Sequence, residues 1–246
     1  YELYLKGNSN HLPDYILSDE SHRDNFYQYS NRRIGGNIVD EFHVNSASDS
    51  KLEKPRISFA NTAVDEDNIV SSLRGEPNVS ASRYHKMATI LKQARKEKSE
   101  IILFPECFTP VNLLSSLIRF SEKNESLLVT GLEHITKDST SFNFVVSVLP
   151  FTVNGINDAT VLFRLKNHYS HGEEHLIRGN HLNVPTPEKY KYDLVNWRNV
   201  YFSTFYCFEL ANVEHRSLMK GKVDLLIGVE WNKDTNYFSN IVESTS

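Results

Sequence analysis

Cysteine is nearly absent from this chain: Cys107 and Cys207 are the only two in 246 residues. A disulfide scaffold is thereby excluded, and a reducing, cytoplasmic setting is the expectation. No apolar run approaches the ~18–20 residues that a membrane-spanning helix needs, and mean hydropathy is −0.44. The first residues, Tyr1-Glu2-Leu3-Tyr4, offer neither a basic stretch nor an apolar one, so no signal peptide is visible. An excess of positive charge is also missing. With 27 Lys+Arg against 31 Asp+Glu the formal net charge is −4, which gives no electrostatic case for gripping nucleic acid; no direct contact of that kind is expected of residues 55–246. Internal repeats and low-complexity tracts are lacking, and so is an initiator Met, which suggests a piece of something longer. What is present is ordinary: 39% hydrophobic and 24% charged residues, enough apolar material for a real core. The length exceeds the usual ~100–200 residues per domain, so one large domain with an appendage, or two small ones, is expected.

The texture changes near residue 55. Residues 1–54 are rich in Asn, Asp, Ser, His and Tyr and lack sustained period-2 or period-3.6 patterning. They read as an N-terminal extension or the end of a preceding domain, with Asn31-Arg32-Arg33-Ile34-Gly35-Gly36 a turn and 46–50 a linker. Residues 55–246 read as a second unit in which strands and helices alternate, the mark of an α/β fold. Strands are expected at 55–61, 101–104, 127–132, 141–149, 160–165, 199–206 and 223–229. Helices are expected at 81–96, with Ser80 as N-cap, and at 111–123, 211–220 and from 237 onward. In the helix 81–96 the residues Tyr84, Met87, Ala88, Ile90, Leu91 and Ala94 form one stripe at helical spacing. The uninterrupted apolar run 101–104 has the signature of a strand buried on both faces.

In such folds chemistry collects where strands end, because a strand's C-terminus delivers side chains into the crevice beside the next loop. Three apolar strands here end in reactive residues: 101–104 runs into Pro105-Glu106, 161–165 ends at Lys166, and 201–206 ends at Cys207. This constellation resembles the nitrilase, or carbon–nitrogen hydrolase, superfamily over residues 55–246. The resemblance is carried by Phe104-Pro105-Glu106, Phe163-Arg164-Leu165-Lys166, Glu174-His175-Leu176-Ile177-Arg178-Gly179, and Cys207-Phe208-Glu209. The apolar segment 221–228 and the Glu230-Trp231-Asn232 loop extend it. Each motif alone is weak; four in order at family-like separations are specific.

The resemblance implies a four-layer α-β-β-α sandwich with Glu106, Lys166, Glu174 and Cys207 converging between two sheets as catalytic residues. Phe208, Glu209, Trp231 and Asn232 would border the substrate. It implies hydrolysis or acyl transfer at non-peptide carbon–nitrogen bonds of a small amide or nitrile, amides being favoured. No cofactor and no metal are required, and homo-oligomers are common in the family. The residue types suit that chemistry. An amide carbon is a poor electrophile and needs a thiolate, Cys207; a base must take its proton, Glu106; and a protonated Lys166 can face the developing oxyanion, as can the Phe208 N–H. Glu174 would orient Lys166 or the leaving nitrogen.

Plainer readings stand beside these. Cys207 following an aromatic strand could be a small buried hydrophobe, which is the reading kept for Cys107. Glu173 competes with Glu174 for the second-carboxylate role, and the run to Gly179 favours Glu174. Glu209 is either an acid in the first turn of a helix or part of the pocket. His168, His171, His175 and His181 have spacings that could suit zinc, against which the segment reads as the loop after the catalytic Lys. A catalytically silent scaffold that oligomerises a fused neighbour is the rival function. The family fold continues past residue 246, so its last strands would be missing from this chain, and a covalently linked neighbouring domain is expected. The pairing resembles the bacterial reverse-transcriptase–nitrilase fusions of anti-phage defence, although no polymerase motif lies in these 246 residues.

Overall fold

A computed structural model describes residues 27–34, 36–44, 52–153 and 155–231. Two five-stranded sheets dominate it. One has the order β3 (Ile57–Phe59), β4 (Ile101–Leu103), β5 (Leu127–Gly131), β8 (Phe144–Val153), β9 (Ile156–Leu165). The other has the order β1 (Tyr27–Ile34), β2 (Asn37–Val44), β10 (Lys191–Trp197), β11 (Val200–Tyr206), β12 (Leu225–Val229). A small hairpin of β6 (Ile135–Lys137) and β7 (Thr140–Phe142) lies apart. Strands β3, β4 and β5 run parallel, while β8 and β9 form an antiparallel ten-residue ladder.

Alternation along the strands produces the layers. In β4, Ile101 faces the other sheet with Leu127, Val129, Val145, Val195, Trp197, Phe202 and Ile227. Its neighbour Ile102 faces outward, against Ile69 of α1 (Glu66–Leu73), Met87, Leu91 and Ala94 of α2 (Ala81–Lys96), and Leu114 and Leu117 of α3 (Leu114–Asn124). The second sheet turns Val39, Tyr192, Leu194 and Phe205 outward, toward Leu210, Leu218 and Met219 beside α5 (Val213–Ser217). Helix, sheet, sheet, helix is the result: the four-layer α/β sandwich that the resemblance implied. The run 101–104 is apolar throughout because both faces of that strand are covered.

Helix α2 matches its expected bounds, and the Ser80 side chain accepts from the Arg83 N–H as a cap should. Its inward face is Arg83, Met87, Leu91 and Ala94, whereas Tyr84 is exposed. Arg83 displaces Tyr84 because its guanidinium lies 4.7 Å from the centre of the Phe108 ring, a cation–π contact that lets a charged residue occupy a core position. Helix α1, helix α4 (His171–Gly179) and strands β6 and β10 are additions to the expected elements. Residues read from sequence as part of an extension supply the hairpin β1–β2; the turn expected at 31–36 narrows to its end, where Gly36 (φ 83°) lies between the paired Ile34 and Asn37, and 31–34 belong to β1. β2 pairs in parallel with β10 from Ile38↔Lys191 to Val44↔Trp197. The helix expected from 237 onward lies outside the described residues.

That β2–β10 pairing sets Asp40 directly beside Asp193. Burial and the nearby Asp40 push the Asp193 carboxyl up to about 7, with Arg164 opposing. A carboxyl raised in the folded state binds its proton more tightly there than in the unfolded chain, so stability falls as pH rises from about 4 through about 7. Asp193→Asn, which stays neutral, is expected to leave Tm near the wild-type value at pH 4 and to raise it progressively relative to wild type up to pH 8. Parallel Tm curves across that range would show that Asp193 is ionised throughout.

Candidate active site

The C-terminal ends of β4, β9 and β11 converge between the sheets. Glu106 follows β4, Lys166 follows β9, and Cys207 opens the 3₁₀ turn Cys207–Ala211 after β11. Lys166 is only 1% exposed and Glu106 2%. The Lys166 ammonium donates to Glu106 Oε1 at 2.7 Å and to Glu173 Oε2. The rings of Tyr206 and Tyr169 stand 5.0 and 5.3 Å from Nζ. An ammonium has three N–H donors, so one remains for another acceptor.

The carboxylate that reaches Lys166 therefore belongs to Glu173, and the sequence-based preference for Glu174 is corrected. Successive helical residues point about 100° apart, so only one of the two can face inward. Ser170 caps α4 by accepting from the Glu173 N–H, and Glu173 shares its face with the buried Ile177 one turn on. Glu174 is half-buried outside that face. The signal was available: Ser170-x-x-Glu173 is the spacing of a capping box.

Asn143 sits at the centre of the cluster. Its amide donates to Glu173 Oε1 at 2.9 Å and to Glu106 Oε1 at 3.3 Å, and its oxygen accepts from the Tyr206 hydroxyl at 2.6 Å. The expected strand 141–149 is broken here into β7 and β8, and the break is what frees Asn143 to turn inward. His134 contacts Glu173 Oε1 at 3.3 Å and Cys107 Sγ at 3.8 Å. Cys107 is 1% exposed and packs in the outer core. Asn143, Tyr206 and His134 carry no local signal that sequence reading could have used; each is assembled by contacts across tens of residues.

Cys207 takes a left-handed backbone conformation, φ 47°, costing on the order of 1–2 kcal/mol for a residue with a Cβ. The conformation is held by Glu209. Its Oε2 accepts from the Tyr206 N–H (2.8 Å) and from Arg164 (2.8 Å), and its Oε1 accepts from the Asn167 N–H (2.6 Å) and from Arg164 (2.9 Å). Glu209 is fully buried, so its expected place on the substrate face is corrected: it ties the strand ends that carry Lys166 and Cys207 to each other. Phe208 is half-buried in the same turn. Trp231 borders the site through its backbone, its N–H donating to Glu106 Oε2 at 2.9 Å and its carbonyl lying 3.9 Å from Cys207 Sγ. Its indole N–H is spent on the Val64 carbonyl. Asn232 lies outside the described residues. Gly131 completes the packing, because a Cβ there would strike the Tyr206 hydroxyl and come within 2.6 Å of the Glu106 Cα.

Burial pushes the Glu106 carboxyl up, with Lys166 opposing and Glu173 reinforcing. Burial and Glu106 together push the Cys207 thiol well up, against Lys166. Burial also opposes the charge on Lys166, but Glu106 and Glu173 outweigh it and hold the ammonium protonated. For Glu173 burial acts upward, yet Lys166 and His134 bring the carboxyl down to about 2. A thiol thus lies beside a carboxyl group of raised basicity, an arrangement in which a proton can pass from sulfur to oxygen. Among the described residues no three His, Cys, Asp or Glu side chains group as metal ligands. His168 instead pairs with His215 at 2.9 Å, and His171, His175 and His181 are exposed.

No family model matches the chain. No curated protein matches it either. Among solved structures it is similar to an amidase from Nesterenkonia sp. AN1 that carries the acetamide moiety of fluoroacetamide on its active-site cysteine, with 11% identity, 67% of this chain covered and a TM-score of 0.48. It is also similar to a CN-hydrolase superfamily protein from Xanthomonas campestris with an arsenic adduct in its active site, with 13% identity, 67% of this chain covered and a TM-score of 0.47. The chain spans 65% of the length of each of these two structures.

Proposed function

We propose that this chain is a carbon–nitrogen hydrolase domain of the nitrilase type that cleaves small non-peptide amides through Cys207. The observation that carries this reading is the convergence of Glu106, Lys166 and Cys207, from three separate strand ends, in one buried cluster whose electrostatics suit proton transfer from sulfur to carboxylate. In the first step Cys207 Sγ bonds to the amide carbon while its proton passes to Glu106. The carbonyl oxygen becomes an oxyanion, for which the third N–H of Lys166 is the donor. Collapse breaks the carbon–nitrogen bond, and the leaving amine takes the proton from Glu106. Water, deprotonated by Glu106, then attacks the thioester carbon; the carbon–sulfur bond breaks, the carboxylic acid leaves, and Glu106 returns the proton to Cys207 Sγ. Glu173 and Asn143 hold Lys166 and Glu106 in register, so neither needs to move. A preorganised oxyanion donor in such a dry site is worth roughly 2.7–4 kcal/mol.

The test is brief treatment of the native protein with iodoacetamide, itself a small amide, followed by peptide mapping. Alkylation is expected at Cys207 and not at Cys107, and it should slow in Glu106→Gln. Equal, slow labelling of both cysteines would overturn the assignment and favour the silent scaffold.

A further inference from the structure

At the opposite end of the parallel strands, away from Glu106, a cleft of about 530 Å³ opens beneath the starts of β3, β4 and β5. Its walls carry Lys54, Arg56, Arg95, Lys98 and Arg198 against two carboxylates, Glu100 and Glu125. The protein already uses one of those acids. Glu100 accepts from the Arg56 N–H at 3.2 Å and lies 3.5 Å from Arg198. No carboxylate among the described residues lies within ion-pair distance of Lys54, Arg95 or Lys98, and all three are exposed.

A plainer account is that these cations complement helix ends. Helix α2 ends here with Arg95 and Lys96 in its last turn, and α3 ends here at Glu125. Each helix C-terminus amounts to about half a negative charge. With the Arg198–Glu100 pair set aside, two such ends and Glu125 against Lys54, Arg56, Arg95 and Lys98 still leave about two positive charges at the cleft, in a chain whose net charge is −4. The chain termination of α2 points the same way. Its Schellman motif, with Lys98 N–H to Arg95 O at 3.1 Å and Ser99 N–H to Ala94 O at 2.9 Å, puts Lys98 in the left-handed position (φ 53°) that glycine usually fills. A lysine there accepts backbone strain and gains no ion pair from it.

We infer that this cleft binds a phosphorylated small molecule, recognised through its phosphate group. A phosphate monoester carries about −1.5 to −2 at pH 7, which matches the surplus, and Arg95 offers a planar fork suited to its oxygens. The volume lies in the range of small-molecule sites, roughly 300–1,000 Å³, and exceeds what phosphate alone would fill. The site is separate from the proposed reaction centre, so it would serve regulation or anchoring.

Calorimetric titration of the full chain with inorganic phosphate, AMP and adenosine, at low and moderate salt, tests this. Saturable binding of AMP is expected, weakened by salt, with adenosine inert. The double substitution Arg95→Glu with Lys98→Glu should weaken it at least tenfold. Both positions are exposed, so an unchanged circular dichroism spectrum and unchanged Cys207 labelling would show that the variant is folded. Phosphate binding as well as AMP would identify the free anion as sufficient, and tighter AMP binding would identify an organic ester; either supports the site. Adenosine binding like AMP, no saturable heat at millimolar AMP, or full affinity in the double variant would each overturn it. So would tight binding of a single-stranded oligonucleotide that AMP and phosphate fail to displace.

Discussion

Lys166→Met is expected to destabilise the folded chain by about 3–5 kcal/mol, the usual cost of removing one partner of a buried ion pair. At roughly 2–4 °C per kcal/mol for a chain of this size, Tm should drop by about 6–20 °C. The magnitude follows from burial, since Lys166 sits 1% exposed with Glu106 and Glu173 both bound to it. Without the ammonium, two adjacent carboxylates are left in a dry site, and burial and mutual repulsion push both upward. Acids whose folded-state values are raised lose stability as pH climbs. The deficit against wild type should therefore be smaller at pH 5 than at pH 8, and thermal melts at those two values check it. A drop under 2 °C that ignores pH would mean that the two carboxylates do not depend on Lys166. Activity should vanish as well, but the pH signature separates the structural role from the chemical one.

Cys207→Ala should do the reverse, abolishing chemistry while sparing the fold. On the proposed function, hydrolysis of a small primary amide, followed as ammonia release, is expected to fall by roughly 10⁴-fold or more. Removing one sulfur leaves a small cavity, worth about 1 kcal/mol, and the Glu209 latch around the Tyr206 N–H and Arg164 involves no atom of the Cys207 side chain. Intact mass should show an acyl adduct in rapidly quenched wild-type protein and none in the variant. Wild-type turnover in Cys207→Ala would remove the covalent mechanism altogether.

Much of this site was legible because it is written locally. The apolar run 101–104 ends at Pro105-Glu106, and strand-end residues in an α/β fold face the crevice wherever the rest of the sheet lies. Ser80 and the stripe through Met87, Leu91 and Ala94 similarly bound α2 within a single stretch of chain. The errors arose where one residue of register or one distant partner decides. Glu173 and Glu174 are adjacent and chemically identical, so only the capped helix α4 determines which faces Lys166. Glu209 reads equally as a first-turn acid and as a pocket acid until Arg164, forty-five residues away, is seen to hold it.

The strands β1, β2 and β10 went unread for the same reason. Asp40 interrupts the apolar pattern of β2 and Asp193 that of β10, and those positions become tolerable only when Tyr29 of β1 and Lys191 lie beside Asp40 and Arg164 of β9 faces Asp193. By itself the sequence determined the α/β alternation and the three reactive strand ends, since hydrophobic period and strand polarity are properties of a short segment. Only the tertiary structure decided that Asn143 links the site, that Glu209 is held by Arg164, and that five cations from distant segments share one cleft. Those outcomes depend on Coulomb and hydrogen-bond partners that are close in space and remote along the chain.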